Sequence, residues 1–172
     1  MSDLTLSAAA CPYVLGEDGL ATWSPRHAEA WIGLLEAHKR LTRALDAELE
    51  ARHGVGLSGV EVLGRLAAAD GRFLRLSALA QATGLSLSRV SRLVDGLQAR
   101  GLVERRPCPD DARAVEAHLT PAGLSLARAS QATHAAAVQR AFFDRLEPAE
   151  VDMLADVFAR FAPRAAADCT NG

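Results

Sequence analysis

Residues 87–123 read LSRVSRLVDGLQARGLVERRPCPDDARAVEAHLTPAG, and this stretch decides the fold class. Apolar residues recur in its first part at the spacing of one helix face: Val90, Leu93, Val94 and Leu97. The pattern predicts a helix that is capped by Ser86 or Ser88 and ends at Arg100 and Gly101. The apolar residues define the inner face of this helix, so its polar residues are expected to face outward.

The second part of the stretch predicts a β-hairpin with a charged tip. Residues 102–106 are a strand candidate, and residues 107–112 (PCPDDA) carry the proline and aspartate that favour turns. Val115, Ala117 and Leu119 then alternate with polar residues, which is the pattern of a half-buried strand. A hairpin therefore follows the helix directly.

Another short helix precedes this one. Ser77 is predicted to cap it, Gly84 ends it within two turns, and a very short strand at 74–76 lies before it. Two short helices joined by a tight glycine-containing turn form a helix-turn-helix. With the hairpin behind it, the segment from Ser77 to Thr120 is predicted to be a winged helix-turn-helix.

A long helix is predicted before this segment. Ser24 suits its N-cap, Pro25 suits its first position, and the helix should end near His53 and Gly54. Its apolar residues recur on one face: Trp31, Leu34, Leu35, Leu41, Leu45 and Leu49.

Three further helices complete the prediction. Ser58 and Glu61 have the spacing of a capping box that opens a short helix. Thr120 and Pro121 are predicted to open a helix that runs to about Arg145. Pro148 opens the last helix, whose apolar stripe is formed by Val151, Leu154, Val157, Phe158 and Phe161.

The predicted fold class is therefore mainly α with a small β-hairpin wing. We expect one domain between an N-terminal arm and a C-terminal tail, with the winged helix-turn-helix inside the domain and long helices on both sides of it. The bounds are 1–24 for the arm, 25–162 for the domain, about 57–120 for the winged helix-turn-helix, about 25–53 and 121–162 for the flanking helices, and 163–172 for the tail.

Charge is distributed unevenly along the chain. The net charge is −2, yet residues 72–113 carry eight arginines and four acidic residues, a local balance of +4. The rest of the chain carries 11 basic and 17 acidic residues. A basic segment in an acidic body is typical of a localised phosphate-binding surface.

Neither an enzyme nor a metal or cofactor site is predicted. The three cysteines, Cys11, Cys108 and Cys169, are far apart and form no C-x-x-C motif. The five histidines show no H-E-x-x-H spacing, and the chain has no G-x-S-x-G and no phosphate-binding glycine loop. No membrane span and no signal peptide are evident, which favours a cytoplasmic protein.

Several motifs in this stretch resemble the MarR (multiple antibiotic resistance regulator) family of bacterial repressors. They are LVD at 93–95, Leu97, RGLV at 100–103, Asp111-x-Arg113 and Leu119-Thr120-x-x-Gly123, and the resemblance covers roughly residues 28–162. It implies an obligate homodimer, with the flanking helices as dimerisation helices. It also implies binding to double-stranded DNA at a pseudo-palindromic operator, usually as a repressor.

Candidate DNA contacts follow from the predicted helices and wing. An α-helix fits the major groove, where arginine can pair with guanine, and helix N-termini favour phosphate. The resemblance implies that Arg113 enters the minor groove and that Asp111 helps to orient it. Of Arg105 and Arg106, one must face the inner side of the sheet. The candidates are Ser77, Gln81, Ser86, Ser88, Arg89, Ser91, Arg92, Arg106, Asp111 and Arg113.

The signal that such a regulator senses is left open by the sequence. Family members commonly respond to phenolic or other small aromatic ligands, for which the candidate residues are Trp31, His38, Arg43, Phe73 and His118. One alternative is thiol-based redox sensing through Cys11 or through Cys108, which adjoins Arg105 and Arg106 in sequence. Another is a winged helix that binds protein instead of DNA, which salt-dependent retention on duplex DNA would distinguish.

Overall fold

The computed structural model describes residues 13–108 and 111–161, apart from the side chains of Ala112 and Arg113. The chain divides into two compact units, residues 1–43 and residues 44–172. Helix α1 (Pro25–His53) contributes its first part to one unit and its last part to the other. Both of its ends lie where the sequence predicted them.

The first unit contains a small β-hairpin before α1. Strands β1 (Tyr13–Leu15) and β2 (Ala21–Trp23) pair antiparallel, and the rings of Tyr13 and Trp23 lie opposite each other with centroids 5.3 Å apart. This hairpin lies within the expected N-terminal arm and was not predicted from the sequence. Strands of three residues are too short to show an alternating pattern in the sequence.

The second unit contains the remaining helices and a three-stranded antiparallel sheet. The strands lie in the order β3-β5-β4, so β5 is central. The elements are α2 (Leu57–Ala68), a 3-10 turn (Asp70–Arg72), β3 (Phe73–Arg75), α3 (Leu76–Thr83), α4 (Leu87–Ala99), β4 (Val103–Cys108), β5 (Asp111–Leu119), α5 (Pro121–Ala141), a 3-10 turn (Phe143–Arg145) and α6 (Pro148–Ala159).

One hydrophobic core holds the second unit together. It joins the end of α1, helices α2, α3 and α4, and the inner face of the sheet. Its largest fully buried apolar side chains are Leu49, Leu63, Leu66, Leu79, Val62, Val90, Val94 and Val103. Helix α4 is thereby anchored along one face, which leaves its other face to solvent.

The start of α2 is capped from another helix. The carboxylate of Asp46 in α1 accepts a hydrogen bond of 2.7 Å from the backbone N–H of Leu57. The predicted capping box of Ser58 and Glu61 is wrong, because α2 begins at Leu57 and its N-cap residue, Gly56, has no side chain to cap with. A carboxylate here also lies at the positive end of the helix dipole.

Replacing Asp46 by alanine is expected to destabilise the second unit by about 1 kcal/mol, the usual cost of a lost N-cap. Urea denaturation followed by circular dichroism measures this difference. Asp156→Ala is a matched control, because Asp156 is exposed on α6 and makes no hydrogen bond or ion pair within the described residues. Equal stability of the two variants would contradict the capping role.

The start of α5 is bound to the wing side of the fold. Thr120 caps α5 by accepting a hydrogen bond from the Gly123 N–H at 3.0 Å, and Pro121 occupies the first turn, as predicted. The Thr120 hydroxyl also donates to the carbonyl of Gly101 at 2.8 Å. The helix is shorter than predicted, since it ends at Ala141 and a separate 3-10 turn follows.

Helix α6 begins at Pro148, as predicted, with Glu147 and Glu150 forming a capping box. Its predicted apolar stripe has no buried member. Large apolar side chains of this segment are instead exposed, and Phe161 just after the helix is 79% exposed. Val151, Leu154 and Val157 are half-buried, so this face is only partly covered by the described part of the chain.

Candidate nucleic-acid interface

A tight turn joins α3 to α4. Gly84 ends α3 with a φ of 67°, a left-handed conformation that glycine adopts without a steric penalty. Ser86 then caps α4, because its hydroxyl accepts the Arg89 N–H at 3.3 Å. Of the two predicted caps, Ser86 is therefore the one that the fold uses. The two helices form the predicted helix-turn-helix.

Helix α4 has one buried and one exposed face. Val90, Val94 and Leu97 are buried, as their spacing predicts. Its outward residues near the N-terminus are Ser88, Arg89 and Arg92, which together with Ser86 are exposed. Four of the predicted DNA contacts are thus brought together on the first turns of this helix.

Leu87 adds an apolar residue to this surface that the sequence analysis did not include. It is the first residue of α4 and is 54% exposed. An exposed apolar side chain on a reading helix can contact the thymine methyl group in the major groove. The sequence could have indicated this exposure, because Leu87 lies outside the apolar stripe of α4.

Ser91 differs from its predicted outward position. It is half-buried, and both its hydroxyl and its carbonyl accept hydrogen bonds from Arg105 Nη2, at 2.8 and 2.9 Å. The same nitrogen lies 3.1 Å from the carboxylate of Asp95. Arg105 is therefore the inward-facing arginine of β4, and it clamps the wing strand to α4.

Arg106 is the outward-facing arginine of the wing. It is exposed and forms an ion pair of 2.8 Å with Glu104 on the same strand. An exposed pair of this kind stabilises a fold by only about 0–1 kcal/mol, so a phosphate can compete for Arg106. Asp111 begins β5 and is exposed, while Arg113 lies within β5 and its side chain lies outside the described part.

Ser77 and Gln81 are exposed on α3. The predicted capping role of Ser77 is wrong, because α3 begins one residue earlier, at Leu76, and has no side-chain cap. The strand before it is Phe73–Arg75, shifted by one residue from the prediction. Both polar side chains of α3 stay candidates for phosphate contact.

The end of β4 next to the wing tip is bound to β3 by a contact that the sequence did not reveal. Arg75 Nη2 donates to the thiol sulfur of Cys108 at 3.0 Å. Cys108 is only 4% exposed, and its contacting guanidinium belongs to Arg75 instead of to the neighbouring Arg105 or Arg106. A redox sensor needs an exposed thiol, so this burial argues against Cys108 in that role. Cys11 lies outside the described residues.

The predicted effector residues fall into both units. Phe73 and His118 stack with centroids 4.7 Å apart and an interplanar angle of 10°, and His118 also bonds to Glu116 at 3.0 Å. In the first unit, Trp31 and His38 are exposed on α1, as is Arg43. The structure thus brings two of the five together within one unit.

Neither a metal site nor a membrane span is found in the described part of the chain. Within residues 13–108 and 111–161, no group of three His, Cys, Asp or Glu side chains could hold a metal ion. Among the same residues, no helix is both long and apolar enough to cross a membrane.

A helix-turn-helix followed at once by a two-stranded wing defines a winged helix-turn-helix protein. The model of the MarR family matches residues 53–114. AbsC, a MarR family transcriptional regulator from Streptomyces coelicolor, is 31% identical, with a TM-score of 0.75 over 81% of this chain and 94% of AbsC. The chain therefore belongs to the MarR family.

Two further solved structures are similar. Sco3205, a MarR family transcriptional regulator from Streptomyces coelicolor in complex with DNA, is 31% identical, with a TM-score of 0.75 over 81% of this chain and 88% of Sco3205. A MarR variant from E. coli in complex with operator DNA is 22% identical, with a TM-score of 0.67 over 80% of this chain and 94% of that one, and it shows the fold alone. No curated protein matches the chain.

Proposed function

We propose that this chain is a homodimeric, sequence-specific DNA-binding regulator that acts in the cytoplasm as a repressor and leaves its operator when a small effector binds. The observation that carries DNA binding is the exposed first half of α4. Arg89 and Arg92 lie there on a helix whose opposite face is buried in the core. Neither forms an ion pair with another described residue, so both guanidinium groups are available to an anion.

Base readout is assigned to the exposed face of α4. Arginine can donate two hydrogen bonds to O6 and N7 of guanine in the major groove, which distinguishes this base from the other three. Ser86 and Ser88 lie at the helix N-terminus, where unpaired N–H groups and the helix dipole favour a phosphate oxygen. Ser77 and Gln81 on α3 supply further phosphate contacts.

The wing is assigned to the adjacent minor groove. Arg113 is the arginine that enters the groove, with Asp111 beside it and Arg106 contacting the backbone. The narrow minor groove of A·T-rich DNA has an enhanced negative potential that attracts arginine. Because Arg105 joins the wing to Ser91 and Asp95 of α4, the two reading elements keep a defined mutual position.

Dimerisation is supported by apolar surface that the described part of the chain leaves uncovered. In the first unit, Trp31 and Ile32 on α1 are 53% and 58% exposed. In the second unit, Met153 and Phe158 on α6 are exposed as well. Exposed patches of this kind mark interaction surfaces, and we assign them to a second copy of the chain.

One relative supports DNA as the ligand, since Sco3205 was crystallised in complex with DNA. A two-fold dimer requires a pseudo-palindromic operator whose half-sites lie about one helical turn apart.

Salt-dependent binding tests the proposal. An operator is first selected from a random duplex library, and its affinity is then measured between about 50 and 200 mM salt, a range in which 6–10 phosphate contacts lower the affinity by about 10³–10⁵-fold. A strong decrease together with a palindromic footprint is expected. Salt-independent binding, or no enrichment of any duplex, would contradict DNA binding and favour the alternative of a winged helix that binds protein.

Arg113→Ala is expected to weaken operator binding by about 1–3 kcal/mol, the scale of a good groove contact. The affinity is measured at fixed salt with the selected operator. Arg128→Ala is the control, because Arg128 is exposed on α5 and makes no ion pair within the described residues. If Arg113→Ala binds as tightly as the control does, the wing assignment is wrong.

The effector part of the proposal centres on an aromatic shelf, defined as Phe73 and His118. The two rings stack on each other, and Phe73 remains 39% exposed. A planar aromatic ligand gains from stacking on such a surface. Trp31, His38 and Arg43 stay candidates from the other unit. Redox sensing through Cys108 is not proposed, because its thiol is buried.

A further inference from the structure

The C-terminal end of α4 is tied to the end of α1 by one side chain. Arg100 directly follows α4, and its Nη2 donates to the carbonyl of His53 at 2.9 Å, while its Nη1 donates to the carbonyl of Gly54. A helix terminus leaves its last carbonyl groups without partners inside the helix. The guanidinium of Arg100 supplies hydrogen bonds to the end of α1.

Both partners are suited to this contact. Gly54 has a φ of 63°, and a Cβ atom at this position would lie only 3.4 Å from Arg100 Nη2. A cation at a helix C-terminus is also favoured by the helix dipole. Arginine holds two donors in a rigid plane, so it can bind two neighbouring carbonyls at once, whereas lysine offers a single point charge.

An open groove of about 370 Å³ lies between α4 and the α1–α2 corner. Asp46 and Glu50 line its α1 side, and Arg92 and Gly96 line its α4 side. Among the hydrogen bonds of the described residues, those of Arg100 are the ones that join the α4 segment to the end of α1. The end of α1 and the buried face of α4 also share the apolar core, through Leu49 and Leu97, but such apolar packing is non-directional.

The end of α1 is itself held on α5. Arg140 Nη2 donates to both carboxylate oxygens of Glu48, at 2.8 and 2.9 Å. The ring Nε2 of His53 lies 2.8 Å from the hydroxyl of Thr133. Arg100 thus joins α4 to the end of α1, which is itself hydrogen-bonded to α5.

We propose that Arg100 is a positioning residue that sets the spacing of the two operator half-sites. This inference rests on the proposed function, in which exposed apolar surfaces of α1 and α6 pair the two subunits. Each α4 is then placed relative to the two-fold axis through the corner that Arg100 holds. A rotation of α4 at this corner moves its N-terminal turns along the DNA, and half-site spacing follows from that placement.

The test uses operators that differ only in spacing. Duplexes carrying the selected half-sites at the best spacing, and with one base pair added or removed, are titrated with wild type, Arg100→Ala, Arg100→Lys and the control Arg128→Ala. We expect Arg100→Ala to reduce the preference for the best spacing by about tenfold, the scale of one lost base pair contact. Arg100→Lys should lie between this variant and wild type, and Arg128→Ala should match wild type.

A uniform loss of affinity at all spacings would overturn the inference, because it would show that Arg100 contacts phosphate or only stabilises the fold. An unchanged spacing profile would overturn it as well. If circular dichroism shows that Arg100→Ala is unfolded, the inference is judged from the spacing preference of Arg100→Lys alone. Wild-type protein that binds no duplex would instead contradict the proposed function, so the two failures are distinguishable.

Discussion

Gly123→Ala is expected to destabilise the second unit by about 3 kcal/mol or more, at the upper end of single-residue effects. Gly123 is buried in the first turn of α5, and a Cβ atom there would lie 2.0 Å from the backbone carbonyl oxygen of Leu102 and 2.8 Å from a methyl group of Leu119. A backbone oxygen cannot rotate away as a long side chain can. The start of α5 must therefore move away from the wing.

Thermal denaturation measures this effect, and a loss of 3 kcal/mol in a chain of this size lowers Tm by about 6–12 °C. Gly96→Ala is the matched control, because Gly96 lies inside α4 and a Cβ atom there meets nothing within 4 Å. This control should be slightly more stable than wild type, since alanine favours helix over glycine by about 1 kcal/mol. A Gly123→Ala protein with the Tm of wild type would contradict this prediction, because it would show that α5 moves away from Leu102 without a loss of stability.

Replacing Arg89 and Arg92 together by alanine is expected to weaken binding to the selected operator by about 30-fold or more, because each contact is worth about 1–3 kcal/mol. Both side chains are exposed, and neither forms an ion pair within the described residues, so their removal should leave Tm almost unchanged. The affinity is measured at several salt concentrations. The slope of log affinity against log salt concentration is expected to become smaller for each phosphate contact that is lost.

The control for this pair removes two other exposed arginines. Arg128 on α5 and Arg145 in the 3-10 turn before α6 lie outside the helix-turn-helix and the wing. Their joint replacement by alanine changes the net charge by the same amount and should reduce affinity only weakly. Equal losses in both double variants would mean that net charge alone attracts DNA, which would contradict base readout by α4.

The helix-turn-helix was predictable because its signals are local. The apolar spacing in α4, the break at Gly84 and the cap at Ser86 all act within a few residues of each other. The caps of α2 and of α3, the first helix of the helix-turn-helix, were mispredicted. Asp46 caps α2 from 11 residues away, and the serines at 58 and 77 matched local patterns that the fold does not use.

The candidate site was predicted in part. The outward residues of α4 follow from its apolar stripe, so Arg89 and Arg92 could be placed on its exposed face without a structure. Ser91 could not, because the polar side chain that it meets, Arg105, is 14 residues away on another strand. The helix period by itself does not reveal a partner of that kind.

The sequence by itself determined the winged helix-turn-helix between Ser77 and Thr120, since the apolar period, the turn residues and the caps at Ser86 and Thr120 are properties of neighbouring residues. Only the tertiary structure decided how that segment is held. Arg105 clamps α4 to the wing, Arg75 binds the thiol of Cys108, and Arg100 reaches the carbonyls that end α1. Each is a long side chain whose partner is distant in sequence, and folding of the backbone is what brings the two within hydrogen-bond distance.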